Sequence, residues 1–141
     1  MTLEEATDYR SRFFEAYPDL ARWHESVTHS NPEDARTLLG RRRGSLRSFR
    51  EALNHPIQGT AADGQKLALA LLWERRTECP HAFPVLVVHD EIVIECDEDK
   101  AEEARDWLVS AMEDGMNTAV NASEPHVPIE IEAAVSDSWI K

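Results

Sequence analysis

Cysteine, glycine and long apolar runs are all scarce in this sequence. Only Cys79 and Cys96 occur in 141 residues. They lack any motif spacing, so neither a disulfide framework nor a zinc site is expected, and both read as buried or half-buried thiols. No stretch approaches the roughly eighteen uninterrupted apolar residues of a spanning helix, so no membrane is expected as a partner. The N-terminal run MTLEEATDYR is acidic where a secretory signal would be basic and then apolar, which points to a cytoplasmic protein. Positive charge is also short: 15 Lys and Arg stand against 27 Asp and Glu, a net charge of −12. That is a poor global signature for nucleic-acid binding, which usually shows a basic face.

What is present is one domain's worth of chain, long enough to bury a core and too short for a whole replicative enzyme. Apolar residues at 42% and charged residues at 30% give a soluble globular profile. No internal repeat, low-complexity tract or second domain is evident. The charge is unevenly spread. Arg36, Arg41, Arg42, Arg43, Arg47 and Arg50 fall close together, while residues 91–114 are crowded with Asp and Glu. Such runs are usually solvated faces. Any phosphate contact is nevertheless expected from the middle of the chain.

Thr2-x-x-Glu5 forms a capping box, and Leu3, Ala6, Tyr9, Phe13 and Tyr17 follow at helical spacing. Pro18 should break this helix, with Asp19 capping a second that carries Leu20, Trp23 and Val27 on one side. Residues 28–34 read as a turn-rich connector and 36–49 as an irregular or short-strand region. A longer helix is predicted to start at Asn54, with Pro56 in its first turn, and to run to about Arg76. Val85–Val88 and Ile92–Ile94 are β-branched runs separated by His89, Asp90 and Glu91, the pattern of a hairpin. Asp97 or Asp99 should cap an amphipathic helix with Ala101, Ala104, Trp107, Leu108, Ala111 and Met112 facing inward. A last strand is predicted over 127–135, where Ile129, Ile131 and Ala133 alternate with Glu130 and Glu132. The expected fold class is α+β: a small antiparallel sheet with a central β-hairpin packed against helices.

His89-Asp90-Glu91 at the hairpin tip can be ordinary turn residues. They can equally hold a carboxylate at a fixed point for a divalent ion, since Mg²⁺ accepts one or two carboxylates and keeps several waters. The surrounding residues favour the second reading. Val87-Val88-His89-Asp90-Glu91-Ile92-Val93 resembles the VHDE signature of family A DNA polymerases, the bacterial DNA polymerase I type. Upstream, Arg50-Glu-Ala-Leu-Asn54-His-Pro56-Ile-Gln58-Gly59-Thr60-Ala-Ala-Asp63 resembles that family's R-x-x-x-N-x-P-x-Q-G-T-A-A-D segment. Thr37-Leu-x-Gly40-Arg41-Arg42 resembles its T-L-x-G-R-R segment, and the helix through Tyr17-Pro18 and the terminus near Trp139 also match in order. The resemblance covers nearly the entire chain and implies the C-terminal portion of a polymerase palm, a single domain over 1–141. Residues 1–49 would form a helical and basic connector region and 50–141 the palm core.

The resemblance carries specific roles. Asp90 would be one of two aspartates that hold the catalytic Mg²⁺ ions, with Glu91 supporting that site and His89 near the primer terminus. Arg50, Asn54 and Gln58 would face the minor groove of a DNA primer-template, while the basic run itself, Arg42 and Arg50 in particular, is expected to neutralise a few DNA phosphates. Asn and Gln suit the groove because all correct pairs present acceptors there. The family's other metal aspartate, in a D-Y-S-x-I-E-x-R segment, and its nucleotide-gripping R-x-x-x-K-x-x-x-F/Y-G helix have no counterpart. Asp8-Tyr9-Arg10 lies in a helical, acidic context and does not supply the first. The chain is therefore expected to be a fragment or split subunit acting in replication or repair, completed by a second polypeptide and inactive alone. The alternative is a non-catalytic remnant or binding module that keeps the fold. Apolar surface left open by missing palm strands would give it a route to self-association. Gly64 stands where the family usually carries a bulky apolar residue.

Overall fold

A computed structural model describes residues 1–30, 33–121 and 127–139. Helix α1 (Leu3–Ala16) begins with the expected capping box: Thr2 Oγ1 accepts the Glu5 N–H and the Glu5 carboxylate accepts the Thr2 N–H. Tyr17 ends it, and Pro18 opens α2 (Pro18–Ser30). Asp19 sits in the first turn of α2, bonded to Arg22 rather than capping. Neither helix has a buried residue; Phe14, His24 and Phe49 stack in series and lean the pair on the next helix. Thr28–Ser30, expected as connector, continue α2, while residues 31–32 lie outside the described chain.

Strands β1 (Asp34–Arg36) and β2 (Arg42–Gly44) pair antiparallel around a turn in which Gly40 adopts φ +86°, a conformation open to glycine. This ribbon lies against α3 (Phe49–Glu74), the longest element. The sequence suggested a start at Asn54. Instead Ser48 is the N-cap, accepting the Glu51 N–H, and Asn54 and Pro56 are interior. An interior proline forgoes one helical hydrogen bond. The helix persists here because one flank of its first half is locked to the ribbon.

That lock joins two of the sequence motifs. Leu38 N–H donates to Thr60 Oγ1 at 3.0 Å, and Thr60 Oγ1 donates to the Pro56 carbonyl. Arg41 donates from Nε to Asp63 Oδ1 at 2.5 Å and from Nη2 to the Gly59 carbonyl at 2.9 Å. A Cβ on Gly59 would meet Thr37 Cγ2 at 2.7 Å, so close approach of turn and helix requires glycine there. Burial pushes the Asp63 carboxyl up, but the Thr37 hydroxyl, Arg41 and the more distant Lys66 outweigh it and hold it below the usual range. The pair's stabilisation is therefore present above the unfolded carboxylate value of about 3.9 and lost as pH falls through the lower folded value. Arg41→Ala would strand a buried carboxylate and is expected to cost about 1.5–3 kcal/mol at neutral pH. Chemical denaturation should show this gap in full at pH 7 and closing below about pH 4; no gap at neutral pH would refute the lock.

The core lies between the second half of α3, helix α4 (Ala101–Val120) and a hairpin of β3 (Ala82–Val88) and β4 (Glu91–Cys96). Ala68, Leu72, Cys79, Ile92, Trp107 and Ala111 meet there, and the Trp107 indole N–H is satisfied by the Arg75 carbonyl at 3.2 Å. A single 3₁₀ turn, Glu98–Lys100, leads into α4; Asp97 and Lys100 stand at the N-cap positions without a side-chain cap bond, so the expected aspartate cap is not formed. The hairpin is as expected, except that Glu91 is the first residue of β4, paired with Val88, and the tip is His89-Asp90 alone. Pairing steps from Pro84–Ile94 to Leu86–Val93, leaving Val85 as a bulge beside a proline that has no N–H to give the ladder.

The predicted strand over 127–135 is not a strand. Among the described residues it joins neither sheet: alternation specifies a face but does not specify which edge the segment would pair with. The Asn121 side chain stands in for a strand, accepting the Val127 N–H at 2.7 Å and donating to the Val127 carbonyl at 3.0 Å. The α+β class holds, with two two-stranded antiparallel sheets. No described helix is long and apolar enough to cross a membrane.

Candidate functional site

The buried side of α3 rotates halfway along its length. In the first half Ala52, His55, Gly59, Thr60 and Asp63 are buried, the last three against the ribbon and its turn. The opposite stripe advances in helical steps of three or four residues: Arg50, Asn54, Gln58, Ala61 and Gln65. Its first four members are exposed, and Ile57 beside them is 63% exposed. Ala68 and Leu72 continue the same stripe, yet both are fully buried by the hairpin and α4. The helix thus presents a polar strip that runs directly under the edge of the hairpin.

Gln65 marks the junction. Its Nε2 donates to the Glu91 carbonyl at 3.4 Å, which ties the strip to the tip carrying His89 and Asp90. His89 has φ +56°, and it alone of the two tip residues has a positive φ, the pattern of a type II′ turn. For a residue with a Cβ this costs about 1–2 kcal/mol, although histidine tolerates it better than most. Backbone strain of this kind persists where surrounding structure over-determines it, often at functional positions.

His89, Asp90 and Glu91 are all exposed. The Asp90 carboxylate makes no hydrogen bond or ion pair with the described residues, whereas Glu91 Oε1 accepts the Trp139 indole N–H at 3.1 Å. Asp90, Glu91 and Trp139 border one open groove between the hairpin, α4 and residues 131–139. Their donor chemistry fits a hard divalent cation as far as it goes: one or two carboxylates facing solvent that could supply the remaining waters. Among the described residues, however, no three His, Cys, Asp or Glu side chains converge as a metal cage.

Of the sequence-derived residues, then, Arg50, Asn54 and Gln58 share one face, and it leads to His89, Asp90 and Glu91. Arg42 stands apart, on the ribbon against the other side of α3, in an ion pair with Asp34. Arg41 and Arg43 are likewise engaged, with Asp63 and Glu51. Arg47 and Arg50 make no ion pair among the described residues, so the basic run offers fewer free cations than its sequence suggests. Gln65 and Trp139 join the sequence-derived residues only in the folded structure. Gln65 was readable from helical periodicity beyond Gln58, but nothing in sequence pairs Trp139 with Glu91.

The profile of DNA polymerase family A matches residues 1–141. DNA polymerase I of Aquifex aeolicus is 40% identical over 147 residues, covering 100% of this chain and 25% of that protein. The thermostable DNA polymerase I of Thermus filiformis is 36% identical, covering 98% of this chain and 17% of its own length. The chain therefore spans a quarter or less of these relatives. Among solved structures, the POL domain of Pol1 from M. smegmatis, in complex with DNA primer-template and dNTP, superposes with a TM-score of 0.68 at 28% identity. That match covers 82% of this chain and 23% of the other. A match to the family from residue 1 to residue 141, together with 40% identity across the whole chain, makes this chain a member of DNA polymerase family A.

Proposed function

We propose that the chain is the C-terminal palm portion of a DNA-directed DNA polymerase, a fragment or split subunit that acts on a primer-template in replication or repair. The observation that carries this reading is the continuous strip from Arg50, Asn54 and Gln58 through Gln65 to the strained tip at His89-Asp90. In this reading residues 1–49 form a helical, basic connector and 50–141 the palm core, and the protein works in the cytoplasm.

Each residue then has a physical task. Asn54 and Gln58 meet minor-groove acceptors, which every correct base pair presents, and so check pair shape without reading sequence. Arg50 adds a charge beside a phosphate, and Arg42 contributes only to the extent that it leaves Asp34. His89 sits near the primer end. Asp90 would hold Mg²⁺, with Glu91 in support; the ion supplies charge stabilisation for phosphoryl transfer when bound. The second aspartate and the triphosphate-gripping helix come from a second polypeptide. Strand β3 is consistent with such a partner. Phe83, Val85, Leu86 and Val87 are each at least 40% exposed, and among the described residues β3 pairs along one edge only. Without that partner, the same edge offers a site for self-association.

Template-directed extension of a labelled primer with Mg²⁺ tests the reading. The purified chain is expected to be inactive alone and to gain activity when mixed with a chain carrying the missing aspartate strand and nucleotide-binding helix. Failure of every such mixture would favour the other reading, a remnant that keeps the fold without catalysis.

A further inference from the structure

We infer that Trp139 is a positioning residue that withholds Glu91 from the metal, leaving Asp90 as the sole carboxylate ligand this chain presents. The inference rests on the assignment of Asp90 as a ligand, and extends it. Trp139 lies 48 residues from Glu91 in sequence, and its indole N–H donates to Glu91 Oε1 at 3.1 Å. Donors to a carboxylate give directional, charge-assisted bonds that fix its orientation. Nothing else among the described residues restrains that side chain, since Gln65 engages the Glu91 backbone carbonyl.

Adjacent residues in a strand point to opposite faces, which would keep Asp90 and Glu91 apart in any case. That rule does not apply here. Asp90 is in the turn rather than in β4, and Asp90, Glu91 and Trp139 all line one groove, with the Glu91 carboxylate held at Trp139. A released Glu91 can therefore reach toward an ion at Asp90. Divalent affinity rises with the number of carboxylate ligands. Removing the indole should thus tighten, not weaken, binding at the tip.

This sign separates positioning from a merely structural role, because loosening the C-terminal segment would blur the site and weaken binding. The test uses the chain itself, isotope-labelled, with Mn²⁺ as a paramagnetic probe read at the hairpin amides, so that ions elsewhere on the acidic surface do not contribute. Wild type is expected to bind weakly and in an Asp90-dependent manner. Trp139→Phe should bind several-fold more tightly, and the double variant Trp139→Phe/Glu91→Gln should return to wild type. A second arm reads the Trp139 indole resonance, identified by its loss in Trp139→Phe. Glu91→Ala should shift it upfield, while Glu91→Gln, which keeps an acceptor oxygen, should largely preserve it. Unchanged or weaker Mn²⁺ binding in Trp139→Phe, or an indole resonance indifferent to Glu91→Ala, overturns the inference. If instead Asp90→Asn leaves the tip's Mn²⁺ binding intact, the assignment of Asp90 itself fails and this inference falls with it.

Discussion

Asp90→Asn is expected to lower primer extension by the assembled polymerase by about 10³-fold or more while leaving the fold of this chain intact. The size follows from cooperation: groups acting as one catalytic unit lose nearly everything when one is removed. A metal-assisted phosphoryl transfer needs its carboxylates jointly, to neutralise charge and to align the attacking oxygen with the phosphate. The structural innocence of the change follows from the surroundings of Asp90. Asp90 is exposed, its carboxylate has no partner among the described residues, and the positive φ belongs to His89. Asparagine has the same shape and tolerates turns. Thermal melts of wild type and variant should therefore superimpose as activity disappears. Glu91→Gln is expected to cost much less, because its oxygen can still accept from Trp139. Extension undiminished in Asp90→Asn would remove the hairpin from the chemistry and return its tip residues to a turn.

The parts of the fold that were legible in sequence are those governed by local periodicity. The hairpin declared itself because two β-branched runs flank a short polar tip, and α1 because its capping box spans four residues. The start of α3 was misread for an equally local reason: Asn54 with Pro56 two residues on imitates a helix entrance, while the true cap, Ser48, precedes a segment stabilised by the ribbon. The lock of Arg41 on Asp63 spans 22 residues and could not be derived from either motif alone. It shows why the two motifs belong together. Thr37, Gly40 and Arg41 fit Gly59, Thr60 and Asp63 on one side of the helix, which frees Arg50, Asn54 and Gln58 on the other. The residues proposed for the site came from the family resemblance; Gln65 follows from helical periodicity, but its bond to the Glu91 carbonyl, 26 residues away, does not. The final strand failed because alternation specifies a face and leaves the partner edge unspecified.

Gly115→Ala should be the most damaging single methyl added to this protein. A Cβ at Gly115 would lie 2.6 Å from Ala68 N, 2.7 Å from the Gly64 carbonyl oxygen and 3.0 Å from Ala68 Cα. All three are backbone atoms of α3, and no rotamer change moves them. The helices must separate, which opens gaps around Ala104, Ala111 and Ala119, each fully buried. Overpacking of this kind costs about 1–3 kcal/mol, and backbone contact from three atoms belongs at the top of that range or beyond. The better helix propensity of alanine returns about 1 kcal/mol. A net loss of about 2 kcal/mol is expected, read as a lower urea midpoint at unchanged slope. Gly64→Ala should cost less: the nearest atom to its Cβ would be Met116 Sδ, the far part of a flexible side chain, although Met116 Cα at 3.2 Å limits the relief. Gly44→Ala, with nothing within 4 Å, is the control and should change little. Equal stability of Gly115→Ala and wild type would contradict the close crossing. The same crossing accounts for Gly64. Its carbonyl is one of the atoms that Gly115 approaches, so a bulky residue at position 64 would need α4 to stand further off. That spacing also bears on where the hairpin tip lies relative to the strip on α3, since Ile92 of β4 shares one buried cluster with Ala68 and Leu72 of α3 and Trp107 and Ala111 of α4. Gly115→Ala should therefore impair primer extension in the assembled enzyme even at temperatures where the variant remains folded.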